Sequence, residues 1–176
     1  MKNNQLILVL ILIVFSAAAC KTSPDETVRV SPEIGAMAPE FSLTNTAGEE
    51  VSLSGHRGQV VLINFWATWC PPCLQEMPGI DARNQQYQDE LVVLAVNNDE
   101  AEARVTAFKE ELNLSFEPLL DPGGKTGMLY QVRAFPTSVF VNEHGIIQFV
   151  HIGLMTESQI DDYLAQMGLG AETASN

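Results

Sequence analysis

The sequence predicts an α/β domain built on a mixed β-sheet with helices on its faces. Segments with strand patterns alternate with segments of helical period along most of the chain. Residues 60–66 and 91–96 are near-continuous apolar runs, as expected for strands that are buried on both faces of a sheet. Further strand patterns flank turns at Ala47-Gly48 and Glu143-His144-Gly145, which predicts antiparallel hairpins in the same sheet.

The first half of the chain is expected to contain a hairpin, two buried strands and one long helix. In chain order we expect strands at 41–43, 51–53 and 60–66, a helix from 71 to about 88, and a strand at 91–96.

The second half is expected to contain two helices around a short strand, then a hairpin and a closing helix. Asp99 and Glu102 form a capping-box pattern before the first of these helices. A strand at 116–120, a helix at 125–130, and hairpin strands at 137–141 and 146–150 follow. Thr156 with Gln159 three residues on predicts the start of the last helix, and Gly168 predicts its end.

Length and charge exclude several classes of protein. The chain has 176 residues, of which 46% are hydrophobic, enough for one domain with one core. Nine basic and 22 acidic residues give a formal net charge of −13 at pH 7. Because nucleic acids and anionic membrane surfaces attract clusters of Lys and Arg, we expect neither of them to be a partner of this chain.

The N-terminus has the pattern of a secretory signal peptide. Lys2 precedes an apolar run at 6–15, and small residues lead to Cys20. A helix from residue 6 to 19 would cover about 21 Å at ~1.5 Å per residue, short of the ~30 Å hydrocarbon core of a bilayer. This end of the segment resembles a bacterial lipoprotein signal, in which Cys20 would be lipidated. An ordinary signal peptide with an incidental cysteine and an uncleaved short anchor remain alternatives.

These patterns divide the chain into four parts. We expect a signal peptide at 1–19, a flexible tether at 20–36, a folded domain at 37–170 and a tail at 171–176. The domain would be exported and lipid-anchored to a bacterial membrane, facing the periplasm or the extracellular side.

The two remaining cysteines lie as Cys70-Pro71-Pro72-Cys73, where a buried strand is followed by a helix. A helix N-terminus lowers the pKa of a thiol placed there, which predicts Cys70 as the exposed nucleophile and Cys73 as the buried resolving thiol. Cys73, about one turn into the helix, is placed to attack a mixed disulfide formed by Cys70. A disulfide that closes so small a loop adds little stability, so the spacing favours a redox role over a structural one.

The residues around this pair resemble the TlpA/ResA-like branch of the thioredoxin superfamily. The matching segments are NFWATWCPPC at 64–73, Glu76-Met77-Pro78, APEFSL at 38–43, and Phe135-Pro136-Thr137. The resemblance implies a thioredoxin fold with an N-terminal β-hairpin and a central strand–helix insert, for which residues 117–131 are the candidate. It also implies a membrane-tethered thiol-disulfide oxidoreductase outside the cytoplasm, in which Cys70 and Cys73 form the redox disulfide.

The resemblance further implies roles for the residues beside the cysteines. Pro136 would be a cis-proline packed against the disulfide, and Trp69 part of the rim that meets the substrate. The expected substrate-binding residues are Trp69, Pro71, Pro72, Phe135, Pro136 and Thr137. Trp66 is expected to be a core aromatic.

Glu76 is a candidate catalytic residue. It lies three residues after Cys73 and therefore on the same face of the predicted helix. Cytoplasmic thioredoxins carry a buried Asp where this chain has Asn64, so another group must exchange protons with the inner thiol. Together with the resemblance, this spacing favours Glu76 as a proton-handling or gating group, although a helix carboxylate is ordinarily solvated.

Members of this branch reduce protein disulfides, including that of apocytochrome c, and receive electrons from a membrane thiol transporter. We therefore expect disulfide-bearing protein substrates, such a transporter as donor, no cofactor besides the disulfide, no metal, and a monomer. A peroxiredoxin-like peroxidase is an alternative. Such enzymes carry Thr three residues before the reactive cysteine, whereas this chain has Ala67 at that position. A copper- or haem-handling lipoprotein is another, since thiols are soft ligands. A structural bridge or a zinc half-site lacks the further ligands that zinc needs.

Overall fold

The computed structural model describes residues 28–170, which contain seven strands and four α-helices. The strands are β1 (Ser42–Asn45), β2 (Glu50–Ser52), β3 (Val60–Trp66), β4 (Leu91–Asn98), β5 (Leu119–Asp121), β6 (Thr137–Val141) and β7 (Ile147–Ile152). The helices are α1 (Pro71–Gln86), α2 (Glu102–Leu112), α3 (Lys125–Leu129) and α4 (Glu157–Gln166).

The strands form one sheet in the order β2-β1-β5-β4-β3-β6-β7. Strand β4 pairs in parallel with β3 and β5, whereas β6 pairs antiparallel with β3 and with β7. At the other side, β1 pairs antiparallel with β2 and β5. The predicted mixed sheet and its two antiparallel hairpins are confirmed, and the structure places the hairpins at the two ends of the sheet.

Strand β3 is the centre of the sheet, and all seven of its residues are buried. Because successive strand side chains point to opposite faces, its residues divide between two apolar clusters. Leu62 and Trp66 belong to the cluster that also contains Cys70 and Cys73, while Ile63 and Phe65 belong to the cluster on the other face. The predicted core position of Trp66 is confirmed, and its ring packs 4.5 Å from that of Phe108.

Helix α1 follows β3 directly and packs against α4. Gly79 lies at the crossing, where an added Cβ would come within 3.2 Å of the Glu157 side chain, so the two helices approach closely. Arg83 of α1 makes ion pairs with Glu157 (2.8 Å) and Asp161 (2.7 Å) of α4. These contacts hold the start of α4 beside the second half of α1.

The ends of the helices confirm one capping prediction and correct another. Helix α4 begins with the predicted capping box of Thr156 and Gln159. The capping box predicted for Asp99 and Glu102 is wrong, because Ala101 is the N-cap of α2. Asp99 has a left-handed backbone (φ +53°) that cannot start a helix, and its carboxylate accepts a hydrogen bond from Gly123 N–H (2.7 Å).

The predicted insert, 117–131, contains β5 and α3. Strand β5 begins at Leu119, three residues later than the predicted start of this strand, and lies between β1 and β4. The carboxylate of Asp121 accepts hydrogen bonds from the N–H groups of Thr126 and Gly127 (both 3.0 Å) and so fixes the start of α3.

The segment 29–36 was placed in a flexible tether by its composition, but it is hydrogen-bonded to the domain. Gly35 N–H donates to the Ile147 carbonyl (2.8 Å), and Ile147 N–H donates to the Ala36 carbonyl (2.9 Å). The domain therefore begins before residue 37, because β7 provides backbone partners for this stretch. The predicted signal peptide, Cys20 and the tail 171–176 lie outside the described residues.

Between residues 28 and 170 the structure has no helix that is long and apolar enough to cross a membrane.

Candidate active site

Cys70 and Cys73 form a disulfide at the N-terminus of α1. Cys70 is the N-cap residue, and Pro71 and Pro72 occupy the first two helical positions. The N–H of Cys73 donates to the Cys70 sulfur (3.3 Å), which places a helix N-terminal donor on that sulfur. The strand-to-helix position that the sequence predicts for the cysteine pair is confirmed.

The two cysteines differ less in exposure than the sequence predicts. Cys70 was expected to be exposed, yet only 3% of its surface is accessible, against 0% for Cys73. Both are part of the apolar cluster beneath α1, where the half-buried Phe135 also packs. The prediction of an exposed Cys70 is therefore wrong for the oxidised protein, although Cys70 is the more accessible of the two.

Aromatic side chains form a rim beside the disulfide. Trp69 is 62% exposed, and its ring meets that of Phe135 edge-to-face at a centroid distance of 5.8 Å. Pro71 is exposed and Pro72 is half-buried. Several predicted substrate-binding residues thus lie at one surface, and their role remains a prediction.

The Phe135–Pro136 peptide bond is cis, as the resemblance implies. Pro136 is buried, and its carbonyl accepts a hydrogen bond from Gly153 N–H (2.8 Å) in the connection between β7 and α4. Thr137 is also buried, and its hydroxyl donates to the Ala134 carbonyl (2.8 Å). The first bond connects the loop before β6 to the connection between β7 and α4, and the second closes the loop on itself.

Glu76 is buried rather than solvated, with 2% of its surface accessible. Its Oε1 accepts a hydrogen bond from Asn64 Nδ2 (2.7 Å), and its Oε2 accepts one from Met155 N–H (3.0 Å). Burial raises its pKa from 4.5 to about 7, and the two hydrogen bonds oppose this shift without cancelling it. A carboxyl group with a pKa near neutrality can take up and release a proton during a reaction at pH 7.

Asn64 connects this carboxyl group to the neighbouring strand. Its Nδ2 also donates to Ser138 Oγ of β6 (2.9 Å), whereas its Oδ1 is buried and has no hydrogen-bond partner within residues 28–170. Asn64 lies on the face of β3 that is covered by α1, which explains why an amide can reach Glu76. The sequence marks Asn64 by its position in the motif, but no local pattern marks Ser138 or Met155.

Sequence reasoning missed Glu100 at this site. Its carboxylate binds Thr68, two residues before Cys70, although the two residues are 32 positions apart in the chain. Glu100 lies in an acidic stretch that resembles a solvated surface segment, and no spacing rule connects it with the cysteines.

No group of three or more His, Cys, Asp or Glu side chains in the described part of the chain could hold a metal ion.

The chain is similar to known proteins over most of its length. The model of the AhpC/TSA family matches residues 34–150. The thioredoxin-like protein YneN of Bacillus subtilis is 41% identical over 133 residues, which cover 74% of this chain and 78% of that protein. The thiol-disulfide oxidoreductase ResA of Bacillus cereus is 34% identical over 174 residues, covering 94% of this chain and 98% of the relative.

A solved structure shows the same fold. The crystal structure of a putative thiol:disulfide interchange protein DsbE from Chlorobium tepidum superposes with a TM-score of 0.70 at 33% identity. The match covers 78% of this chain and 96% of that one. The thioredoxin-like fold predicted from the sequence is confirmed.

Proposed function

This chain belongs to the AhpC/TSA family and is a thiol-disulfide oxidoreductase, and from this premise we propose that it donates electrons to disulfide-bearing proteins outside the cytoplasm. The observation that carries the proposal is the Cys70–Cys73 disulfide at the N-terminus of α1, with its two prolines.

The prolines bear on the direction of electron flow. A helix N-terminus stabilises a thiolate partly through its free N–H groups, and Pro71 and Pro72 have none. Cys73 supplies the one N–H bond to the Cys70 sulfur among the described residues. Strong oxidants of this kind owe their potential to a stabilised reduced form, and modest stabilisation here favours a reductant.

The reducing cycle begins with the Cys70 thiolate. It attacks one sulfur of the substrate disulfide, forms a mixed disulfide and releases the other substrate sulfur as a thiolate, which takes a proton. Cys73 loses its proton and attacks the Cys70 sulfur, which releases the second substrate thiol. Two electrons have then passed to the substrate, and Cys70–Cys73 is a disulfide again.

Glu76 is suited to the second step. Because its pKa lies at about 7, a large share of the molecules carry an ionised Glu76 at neutral pH. Its place three residues after Cys73 on α1 puts it on the same helical face. We assign to it the transfer of the proton that Cys73 must lose and later regain.

The proposed partners are a disulfide-bearing substrate, an electron donor and a membrane. The exposed rim of Trp69 and the loop of Phe135, Pro136 and Thr137 would receive the polypeptide around the substrate disulfide, with apocytochrome c among the candidates. Repeated turnover needs a donor, and a membrane thiol transporter would re-reduce the pair. A lipid on Cys20 would keep the domain beside that donor.

Trapping tests the activity directly. A Cys73→Ser variant keeps the nucleophile but cannot resolve the mixed disulfide, so we expect it to accumulate covalent complexes with exported thiol proteins. Cys70→Ser is the matched control and should trap none. The purified wild type should reduce insulin; consumption of hydrogen peroxide without insulin reduction would instead favour the peroxidase.

Anchoring has its own test. We expect the wild type to partition into detergent with the membrane fraction when expressed in a bacterium, and a Cys20→Ala variant to lose lipid labelling. Equal labelling of both chains would exclude Cys20 as the lipidated residue.

A further inference from the structure

Glu100 lies in the connection between β4 and α2, and its carboxylate binds the segment that precedes the cysteines. Oε2 accepts a hydrogen bond from Thr68 N–H (2.6 Å), and Oε1 accepts one from the Thr68 hydroxyl (2.6 Å). Asn97 Nδ2, at the end of β4, donates to the same Oε2 (2.8 Å). One carboxylate thus joins the end of a central strand to a residue of the active-site turn.

Thr68 lies inside the four-residue turn 67–70 that leads from β3 into α1. The turn is closed by a hydrogen bond from Cys70 N–H to the Ala67 carbonyl (3.2 Å). Ala67 is fully buried and fixed by the core, whereas the next two residues, Thr68 and Trp69, are outside it. The contact with Glu100 therefore restrains Thr68, which the packing of the core does not hold.

The charge state of Glu100 strengthens this restraint. Partial burial favours its neutral form, but the hydrogen bonds from Thr68 and Asn97, together with the charge of Arg104, outweigh burial and hold its pKa below the usual range. Glu100 is therefore a carboxylate at neutral pH. Hydrogen bonds to an ionised acceptor are shorter and stronger than neutral ones, in agreement with both 2.6 Å distances.

We propose that Glu100 is a positioning residue for disulfide exchange. By holding Thr68 it fixes the turn 67–70, and with it the position of the Cys70 sulfur and the Trp69 ring toward an incoming disulfide. Thiol–disulfide exchange needs the attacking sulfur in line with the bond that breaks, so a small displacement of the turn slows it. Misplacement by about 1 Å can cost an enzyme on the order of 100-fold in rate. The substrate in this proposal rests on the proposed function, whereas the contact between Glu100 and Thr68 does not depend on it.

Two substitutions at residue 100 separate position from charge. In Glu100→Gln, the amide oxygen can accept from Thr68 N–H and Asn97, while the amide NH₂ donates to the Thr68 hydroxyl, which then acts as acceptor. This variant keeps the geometry and loses the charge. Glu100→Ala loses both, and Thr68→Val removes only the hydroxyl contact at nearly unchanged volume. Glu110→Ala, an exposed carboxylate of α2, is the matched control.

The test measures insulin reduction, the pH profile of Cys70 alkylation in the reduced protein, and thermal unfolding. For Glu100→Ala we expect kcat/KM for insulin to fall about tenfold or more. We also expect the pH dependence of Cys70 alkylation to shift from that of the wild type. For Glu100→Gln, kcat/KM should stay within about threefold of the wild-type value, and the pH profile of Cys70 alkylation should stay close to that of the wild type, because the hydrogen-bond geometry is retained. Thr68→Val should lie between them, and Glu110→Ala should match the wild type.

Three outcomes would overturn the proposal. Wild-type rates in a folded Glu100→Ala would show that the contact does not matter. A loss in Glu100→Gln as large as in Glu100→Ala would assign the effect to charge. The third outcome concerns temperature. If Glu100→Ala regains the wild-type rate when the assay is run well below the melting temperature of the variant, Glu100 only stabilises the fold.

Thr68→Val and the alkylation of Cys70 keep the role of Glu100 testable if Glu100→Ala does not fold or insulin is not reduced. If Glu100→Ala fails to fold, Thr68→Val carries the comparison, and an unchanged alkylation profile in that variant would count against the proposal. Alkylation of Cys70 needs no protein substrate, so a wild type that does not reduce insulin would refute the proposed function while the alkylation profiles still decide the role of Glu100.

Discussion

Cys70 is the more accessible of two buried cysteines, which favours its sulfur as the one that meets a reagent. It is the N-cap of α1, with the Cys73 N–H directed at its sulfur, whereas Cys73 is fully covered. When the reduced protein is treated with limiting iodoacetamide at neutral pH, we expect Cys70 to be alkylated first. Peptide mass spectrometry over time measures the order, with the two single Cys→Ser variants as controls. Faster labelling of Cys73 would reverse the assignment of nucleophile and resolving thiol.

Glu76 makes a prediction about pH and stability. Its pKa is raised to about 7 in the folded protein, so between pH 4.5 and 7 the folded state binds more protons than the unfolded state. Stability therefore falls as pH rises through this range, and the ionised form costs up to about 3 kcal/mol above pH 7.

Substitution of Glu76 by Gln removes this titration while keeping the size of the side chain. We expect the wild type to lose stability relative to Glu76→Gln between pH 5 and pH 8, measured by urea unfolding of the oxidised proteins. The exchange rate of Glu76→Gln should also be lower at neutral pH, since it cannot take the proton of Cys73. Parallel pH curves together with an unchanged rate would make Glu76 a structural residue only.

At the scale of elements, the start of α4 is the most clearly capped helix end near the site. The Thr156 side chain accepts a hydrogen bond from Gln159 N–H (3.3 Å), and the preceding Met155 N–H binds Glu76. Thr156→Ala should lower the free energy of unfolding by about 1 kcal/mol. Ser158→Ala, in the first turn of the same helix, is the control and should change stability by no more than about 0.5 kcal/mol. Equal effects of the two variants would show that the cap does not stabilise α4.

Elements whose signals are local could be predicted from the sequence. Strand β3 was predicted because seven consecutive residues are suited to burial, and α4 because its cap and first turn are neighbours in the chain. The capping box at Asp99 was wrong because Gly123, 24 residues away, takes that carboxylate. The segment 29–36 was misassigned because its partners are backbone groups of β7, which composition does not reveal.

The candidate site divides in the same way. Cys70 and Cys73 were predicted from their spacing at a helix start, Glu76 from spacing together with the resemblance, and the cis-proline loop from the resemblance. Glu100 and Ser138 could not be predicted, because each reaches the site through contacts across the sheet. Their positions depend on strand order, which a single sequence does not determine.

For the whole molecule, the sheet brings three separate segments to one end of β3. Helix α1 carries the disulfide and Glu76, the loop before β6 carries Pro136, and the connection after β4 carries Glu100. The net charge of −13 is compatible with discrimination among partners but does not determine the direction of electron flow.

The reduction potential of the domain tests most directly whether it acts as a reductant. The purified oxidised protein is equilibrated with glutathione mixtures of known potential, and the fraction of Cys70–Cys73 disulfide is read by alkylation and mass spectrometry. Because Pro71 and Pro72 provide no N–H groups to stabilise a thiolate, we expect a potential near that of thioredoxin, roughly −270 mV. A value near that of the strong periplasmic disulfide oxidant, roughly −120 mV, would contradict the reducing role and assign the domain to disulfide formation.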